Sequence, residues 1–521
     1  MKQKQFHSKL LPAIASLALA AITISACSPS EQSTTPPKEQ SEPDTYADAS
    51  ERWWAPGDDR PFPASIDYTN ETGVSRIISA TGAFSTDWHP FFEPFGPHGR
   101  ACVTCHQPSD AMSLSTQTIT ERWDATDGAD PLFAAIDGSN CPSLPQEDKA
   151  SHSLLIEGGL IRVERPWPPL PFQDFPHTEP DFDIEVAHDP NGCNSGPEYG
   201  PEAGKISVYR RPRPAANMKY LLAVGFEYDP KQGLPLPISA ETGDLLAGNL
   251  LADGRAGTLF DQMRDAAHSH LEFEDGFLTE HEQAIEDFLL NVYSAQAIDN
   301  TGGALSDLGA GGGPELLASS EAGQLGSIGK AVWSEFEAWE TMSDDQLADI
   351  SPETAEWRAS VARGARVFRE KTFLITDSAG INSPMGFGNP VRNSCVFCHN
   401  MRQMGNDVAP GQVDLGTTTL PFADPNQDLP LFRITCKGEP HPHYGKVILT
   451  QDPGFALTTG KCADVGKITL QSMRGLSARA PYFSNGSAAT LRGVVEYYDR
   501  RYNIGYTEQE IQDLVNLMSA L

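Results

Sequence analysis

The sequence predicts a mainly α chain in two domains, with long loops and little β. Helical periodicity recurs from the middle of the chain to its end, while strand-like runs are sparse. One short motif, Cys-x-x-Cys-His, occurs twice, first as GRACVTCHQPSD (99–110) and again as NSCVFCHN (393–400). Each copy can be given a domain of its own.

The chain opens with Lys2, Lys4 and Lys9 ahead of an apolar run, LLPAIASLALAAITISA. A basic start and a short apolar stretch mark residues 1–26 as a secretion signal. The run is too short and too early for a membrane span. Ile24-Ser25-Ala26-Cys27 resembles a bacterial lipobox, in which Cys27 becomes the lipidated first residue of the mature chain. Ser28, not Asp, follows, and by that resemblance it favours delivery to the outer membrane. We therefore expect a periplasmic protein anchored by lipid at Cys27, without a spanning segment. Residues 27–50 are rich in Ser, Pro, Glu and Thr and lack a hydrophobic period, so they read as a disordered tether.

The body divides into a domain over 51–300, a Gly/Ala-rich linker over 301–330 and a domain over 331–521. DQMRDAAHSHLEF carries His268 and His270 on a helical-looking stretch. EHEQAIEDFLLNVYSAQA (280–297) places Ile285, Phe288, Leu289 and Tyr293 near helical spacing. PETAEWRASVARGARVFRE (352–370) is another helix. A further one starts at Ser487, with Leu491, Val494, Val495 and Tyr498 on one face. In the last helix Thr507 and Glu510 form a capping box, and Ile511, Leu514, Val515 and Met518 line one side. KISVYRR (205–211) and GKVILT (445–450) are the best strand candidates.

Charge narrows the partners. The chain has 38 basic and 70 acidic residues, a net charge of −32. That argues against nucleic acid and anionic lipid surfaces, and suits a small basic protein partner.

Nine cysteines remain to be assigned. Cys27 belongs to the lipobox. Cys141, Cys193, Cys436 and Cys462 fall two after each Cys-x-x-Cys-His. In an exported chain disulfides persist, and proximity favours Cys141–Cys193 and Cys436–Cys462, although four cysteines allow three pairings. The motif cysteines have different work. In Cys-x-x-Cys-His the two thiols add across the vinyl groups of a haem, and the histidine lies under the iron. A zinc site would need two further ligands of similar spacing, and none follows either motif. Cys102, Cys105 and His106 thus hold one covalent haem c, and Cys395, Cys398 and His399 a second, with His106 and His399 as iron ligands.

MRGLSARAPYFSNGSAATLRGVVEYYDRRYNIG (473–505) resembles the second-domain signature of the bacterial di-haem cytochrome c peroxidases and the related methylamine-dehydrogenase-maturation enzymes. FFEPFGPHGRACVTCHQPSD (91–110) and DPGFALTTGKCADVGKITLQSMRGLSARAPYF (452–483) resemble a long lipoprotein branch of that superfamily. The resemblance implies two cytochrome c-like haem domains. The N-terminal haem would meet hydrogen peroxide, and the C-terminal haem would receive electrons from a small soluble cytochrome c or cupredoxin. It leaves two other roles open: oxidation of a protein or organic substrate, and plain electron transfer. The chain departs from the pattern at Ser484, where the family usually has histidine.

Distal groups follow from the same comparison. For the first haem His89, His98, Met112, His268 and His270 are available, and His270 is the candidate ligand. For the second, Tyr498 matches the family's ligand position and Met473 is the alternative; packing is the plain role of each. Arg474 and Arg479 could pair haem propionates. The peroxidases hold a calcium ion between domains, partly by backbone carbonyls around the Ala-Pro-Tyr segment, so Ca2+ is an optional third cofactor here. Trp88 and Trp123 flank the first motif as candidates for an inter-haem residue.

Overall fold

The helices form where their caps and spacing place them. In this computed structural model, which describes residues 52–170, 179–222, 247–320, 335–382, 388–399 and 412–521, the helix Pro352–Glu370 begins at Ser351, whose hydroxyl accepts from the Thr354 amide. It buries Val361, Ala362, Ala365 and Phe368. Against it lies the helix Glu508–Ser519, started by the reciprocal Thr507–Glu510 cap. At their crossing a Cβ on Gly364 would stand 2.1 Å from the Asp513 carbonyl, so only glycine allows the approach. Ser360 and Arg363 tie the same aspartate by its side chain. The helix Leu491–Tyr502 starts from Thr490, three residues later than the sequence suggests. His268 and His270 lie on the helix Leu259–Leu271.

The expectation of a mainly α fold is not met. The described residues are 34% helical and 18% strand, in five small sheets. The strands are short; Ser65–Asn70 with Gly73–Ser79 and Val292–Asp299 with Gly303–Ala304 are tight hairpins, while other pairings, such as Gly73–Ser79 with Val292–Asp299 and Phe182–His188 with Leu431–Cys436, join segments far apart in sequence. The largest sheet orders Ser65–Asn70, Gly73–Ser79, Val292–Asp299 and Gly303–Ala304, all antiparallel. Its third strand corrects a helix boundary. The helix expected over 280–297 stops at Asn291, and Val292–Asp299 is extended because its backbone pairs antiparallel with Gly73–Ser79 along their length. Tertiary pairing has overridden local propensity.

A three-stranded sheet joins Phe182–His188, Leu431–Cys436 and Val447–Thr450. Three two-stranded sheets complete the set, among them Ile161–Pro166 with Lys205–Arg210. The two strands read from sequence are thus present as Lys205–Arg210 and Val447–Thr450. Within the Gly/Ala-rich stretch, residues 303–304 are strand and Pro314–Ser319 is helix. Disulfides join Cys141 to Cys193 and Cys436 to Cys462.

All described residues belong to one compact unit, Thr45–Leu521. One core gathers Trp54, Phe62, Phe91, Phe92 and Phe288, and another Trp339, Phe368, Leu514, Leu517 and Tyr482. The signal segment, Cys27 and all of the tether up to residue 50 lie outside the described residues. Among the described residues no helix is long and apolar enough to cross a membrane.

Candidate functional site

The two Cys-x-x-Cys-His stretches fold alike. Cys102–Thr104 and Cys395–Phe397 are single 3-10 turns. The His106 amide donates to the Cys102 carbonyl at 3.1 Å, and the His399 amide to the Cys395 carbonyl at 3.0 Å. Each turn brings two thiols and one imidazole to the wall of a single cavity. The first cavity measures about 1280 Å³ and the second about 1260 Å³, their solvent-open parts included. All four thiols are outside disulfides. Burial pushes Cys102 and Cys398 up to about 12, and Cys105 and Cys395 to about 11. These sites disfavour a thiolate and suit an uncharged thioether. Burial also lowers both His106 and His399 to about 4, which keeps each imidazole neutral, the form that ligates iron.

In the first cavity His106 Nδ1 donates to the Met112 carbonyl at 3.1 Å. That leaves Nε2 for a metal, with the tautomer fixed from behind. Ala111 and Met112 are both left-handed, at φ 55° and 59°, and this bend turns the carbonyl toward the ring. Such strain, about 1–3 kcal/mol per residue, persists where the surroundings enforce it.

The helix Leu259–Leu271 forms the facing wall with Met263, Ala267 and His270. His270 Nδ1 donates to Asp137 Oδ2 at 2.7 Å. Asp137 is buried against Arg100, whose Nε and Nη2 each donate to a backbone carbonyl at 2.7 Å. Burial alone would raise the Asp137 carboxyl; Arg100 and His270 outweigh it and hold it below the usual range. A hydrogen-bonded chain from Arg100 through ionised Asp137 to His270 therefore ends at the cavity, with Nε2 as the ring nitrogen outside that chain.

The other histidine and methionine candidates lie elsewhere. His89 sits among Phe84, Phe92 and Phe288, His98 pairs with Glu272 at 2.5 Å, and His268 faces Glu274. The Met112 side chain is core.

The second cavity is built differently. The His399 ring lies tilted against Phe368, with centroids 6.1 Å apart, and its Nδ1 has no hydrogen-bond partner among the described residues. Tyr498 and Met473 both line the wall, together with Tyr502 and Tyr506. Tyr498 stacks on Tyr502, whose hydroxyl lies 2.8 Å from Ser378 Oγ. Burial and then Tyr502 push the Tyr498 phenol well above its ordinary value. Ser484 lines this cavity too, its buried hydroxyl without a partner among the described residues.

Arg479 lines the second cavity, whereas Arg474 is spent on a buried pair with Glu335 at 2.5 Å. Neither Trp88 nor Trp123 lines either of these two cavities. Trp88 is 82% exposed, and Trp123 packs with Phe133 and His152.

Reasoning from sequence missed Arg100, Asp137, Arg211 and Arg213. The last two sit in RRPRP (210–214), a dense basic run in an acidic chain, and that contrast was the available signal. Both line the first cavity. Arg210 beside them is locked to Asp253 at 2.8 Å and to Asp452 at 2.7 Å.

No protein-family model matches the chain. Over 147 residues it is 32% identical to "Cytochrome-c peroxidase IdrP1" of Pseudomonas sp. (strain SCT), covering 24% of this chain and 36% of that protein. A protein of the same name from Denitromonas iodatirespirans is 32% identical over 144 residues. "Cytochrome-c peroxidase IdrP2" of that organism is 30% identical over 140. The chain spans about a third of the length of these curated relatives. Over about a quarter of its own length it is therefore similar to cytochrome-c peroxidases.

Proposed function

We propose that this chain is a di-haem c-type oxidoreductase that reduces hydrogen peroxide at the N-terminal haem with electrons entering at the C-terminal one. The observation that carries this reading is the asymmetry of the two cavities. Both present Cys-x-x-Cys-His, but among the described residues a hydrogen-bonded Arg–Asp–His chain ends only in the first. Haem bound there supplies the one-electron chemistry and the breaking of the O–O bond. The similarity to cytochrome-c peroxidases supports the reaction class.

Cys102 and Cys105 hold the cofactor, and His106 ligates from the side fixed by the Met112 carbonyl. His270 Nε2 is the group placed to ligate reversibly or to move a proton. With Nδ1 held by Asp137, it can take the proton from one peroxide oxygen and return it to the other. The balance is one peroxide, two electrons and two protons to two waters. Among the described residues the second cavity has no such histidine–carboxylate pair; its phenols and thioether suit a haem that stores and passes an electron, with Tyr498 the leading distal group and Met473 the alternative. A small soluble cytochrome or cupredoxin fits the net charge as donor. Lipid at Cys27 would hold the protein at the periplasmic face of the outer membrane.

Peroxide turnover after partial reduction, with haem spin state followed in the same sample, tests the reading. A high-spin ferric signal that disappears on adding peroxide, together with turnover, is expected. Two permanently low-spin haems inert to peroxide would make the protein an electron carrier instead.

A further inference from the structure

Between the two cavities lie three arginines without an anion. Arg211 lines the first cavity; its Nη2 donates to the carbonyls of Leu114 at 2.6 Å and Arg479 at 2.9 Å, and its Nη1 to that of Gly158 at 3.3 Å. Arg213 lines the same cavity and donates to the carbonyls of Thr469 and Leu470, two residues of the second cavity's wall. Arg479 lines the second cavity and donates to the Ser472 and Arg474 carbonyls and to Gln471. Among the described residues none of the three has a carboxylate oxygen within the 4.0 Å of an ion pair. The acids nearby are committed: Asp253 and Asp452 to Arg210 and Arg255, and Asp110 to Ser115 and Thr118.

Buried charge without a partner is costly. Burial, then the charge of Arg479, lowers Arg211 to about 9, and burial lowers Arg479 to about 10. The fold nevertheless makes room for it. Gly159 is left-handed, at φ +62°, and a Cβ there would stand 2.1 Å from Arg211 Nη1.

The resemblance implies calcium in this region, held partly by carbonyls around Ala480-Pro481. The residues present do not fit it. The Arg479 carbonyl already accepts from a guanidinium, and the Ala480 carbonyl accepts from the Thr116 amide at 3.5 Å. Among the described residues no group of three or more His, Cys, Asp or Glu could hold a metal ion, whereas calcium takes six to eight oxygens, carboxylates prominent among them. A metal ion on the Arg479 carbonyl would also meet the positive charge of Arg211.

We propose that Arg211 is the fixed cation between the two cavities, standing where the resembling enzymes use calcium, with Arg213 and Arg479 extending a positive seam toward both. This rests on the haem reading, because the carboxylates of the two bound haems are the anions the seam lacks. A guanidinium in this position cannot be chelated or titrated away at neutral pH. The two redox centres then communicate across a permanent charge, and readiness for peroxide does not depend on a metal ion.

The test uses the full, matured chain, with haem counted by pyridine haemochrome. Chelator-treated protein and protein in millimolar calcium should give the same half-reduced absorption and EPR spectra and the same two midpoint potentials. Calorimetry should detect no calcium binding. Arg211→Ser removes a positive charge beside a redox group and opens a gap lined by carbonyls. At least one midpoint potential should fall, and added calcium should now restore part of it. Arg211→Lys should stay near the parent protein. Arg213→Gln, which leaves the Gly159 contact alone, should lower the first haem's potential and serves if Arg211→Ser fails to mature. Calcium that copurifies and whose chelation changes the spectra overturns the proposal, as do potentials unmoved by the Arg211 or Arg213 changes. Fewer than two haems per chain overturns both the proposal and the reading beneath it; two haems with chelator-sensitive spectra overturn the proposal alone.

Discussion

The first cavity ends in ions, the second in phenols and a thioether. Around the first, Asp137 is held between Arg100 and His270, and Asp253 between Arg210 and Arg255. Around the second, Tyr498, Tyr502 and Tyr506 stand beside Met473, and the nearby buried acids Glu335 and Asp414 are pushed above the usual carboxylate range by burial. The same Cys-x-x-Cys-His turn thus opens onto two differently lined cavities. On the proposed reading, a few residues in one turn would set haem attachment, and what the rest of the chain brings to the other wall would set reactivity.

The largest effect should separate the two histidines. His106→Ala is expected to abolish peroxide turnover outright. His399→Ala should leave a peroxide-sensitive haem that the physiological donor no longer reduces efficiently. Stopped-flow absorption with a chemical reductant and with a donor cytochrome distinguishes the two, and the reverse pattern would exchange the roles of the cavities.

His270→Ala comes next. Loss of a positioned acid–base group costs about 10²–10⁴-fold in rate. The decrease should fall on kcat/KM for peroxide while the second haem's spectrum stays unchanged. Asp137→Asn should cost less, about 10–100-fold, as for other groups that orient a ligand from behind. It should also change the pH profile, because an amide can accept from the imidazole but does not stabilise its protonated form. An unaltered profile would reduce Asp137 to a counter-charge for Arg100.

How much of this was legible in sequence depends on the range of each constraint. Cys102, Cys105 and His106 stand out because their spacing is the one that thioether attachment of a haem requires. Thr507 and Glu510 declare a helix start because both hydrogen bonds lie within one turn. His270 could be nominated from its helix, yet Asp137, which gives it meaning, is 133 residues away. The strands failed for the same reason. Val292–Asp299 continues a helical pattern, and its extended form exists only because Gly73–Ser79 lies alongside. Arg211 is the extreme case: its partners are three carbonyls from three separate segments, and backbone groups leave no mark in a sequence.

The smallest predicted effect concerns acid. A carboxyl lowered in the folded state contributes stability that is present above its unfolded value, about 4, and lost as pH falls through the folded value. Asp137, Asp253 and Asp265 are of this kind; for Asp253 burial is outweighed by Arg255, Arg210 and Arg165. A carboxyl raised by burial acts in the opposite sense: its contribution is full in acid and lost as pH rises through its folded value. Glu335 and Asp414 behave this way near the second cavity, and so does Asp110 near the first. Acidification from neutral should therefore first relieve the second region and then, below about pH 4, loosen the first. An acid titration followed by EPR, which separates haems of different spin state, should show the first haem's signal changing at higher pH than the second's. Asp253→Asn should narrow the gap, since the first wall then has less ionised carboxylate to lose. Simultaneous loss of both signals would mean that the ionic and phenolic surroundings, however different in chemistry, open as one cooperative unit.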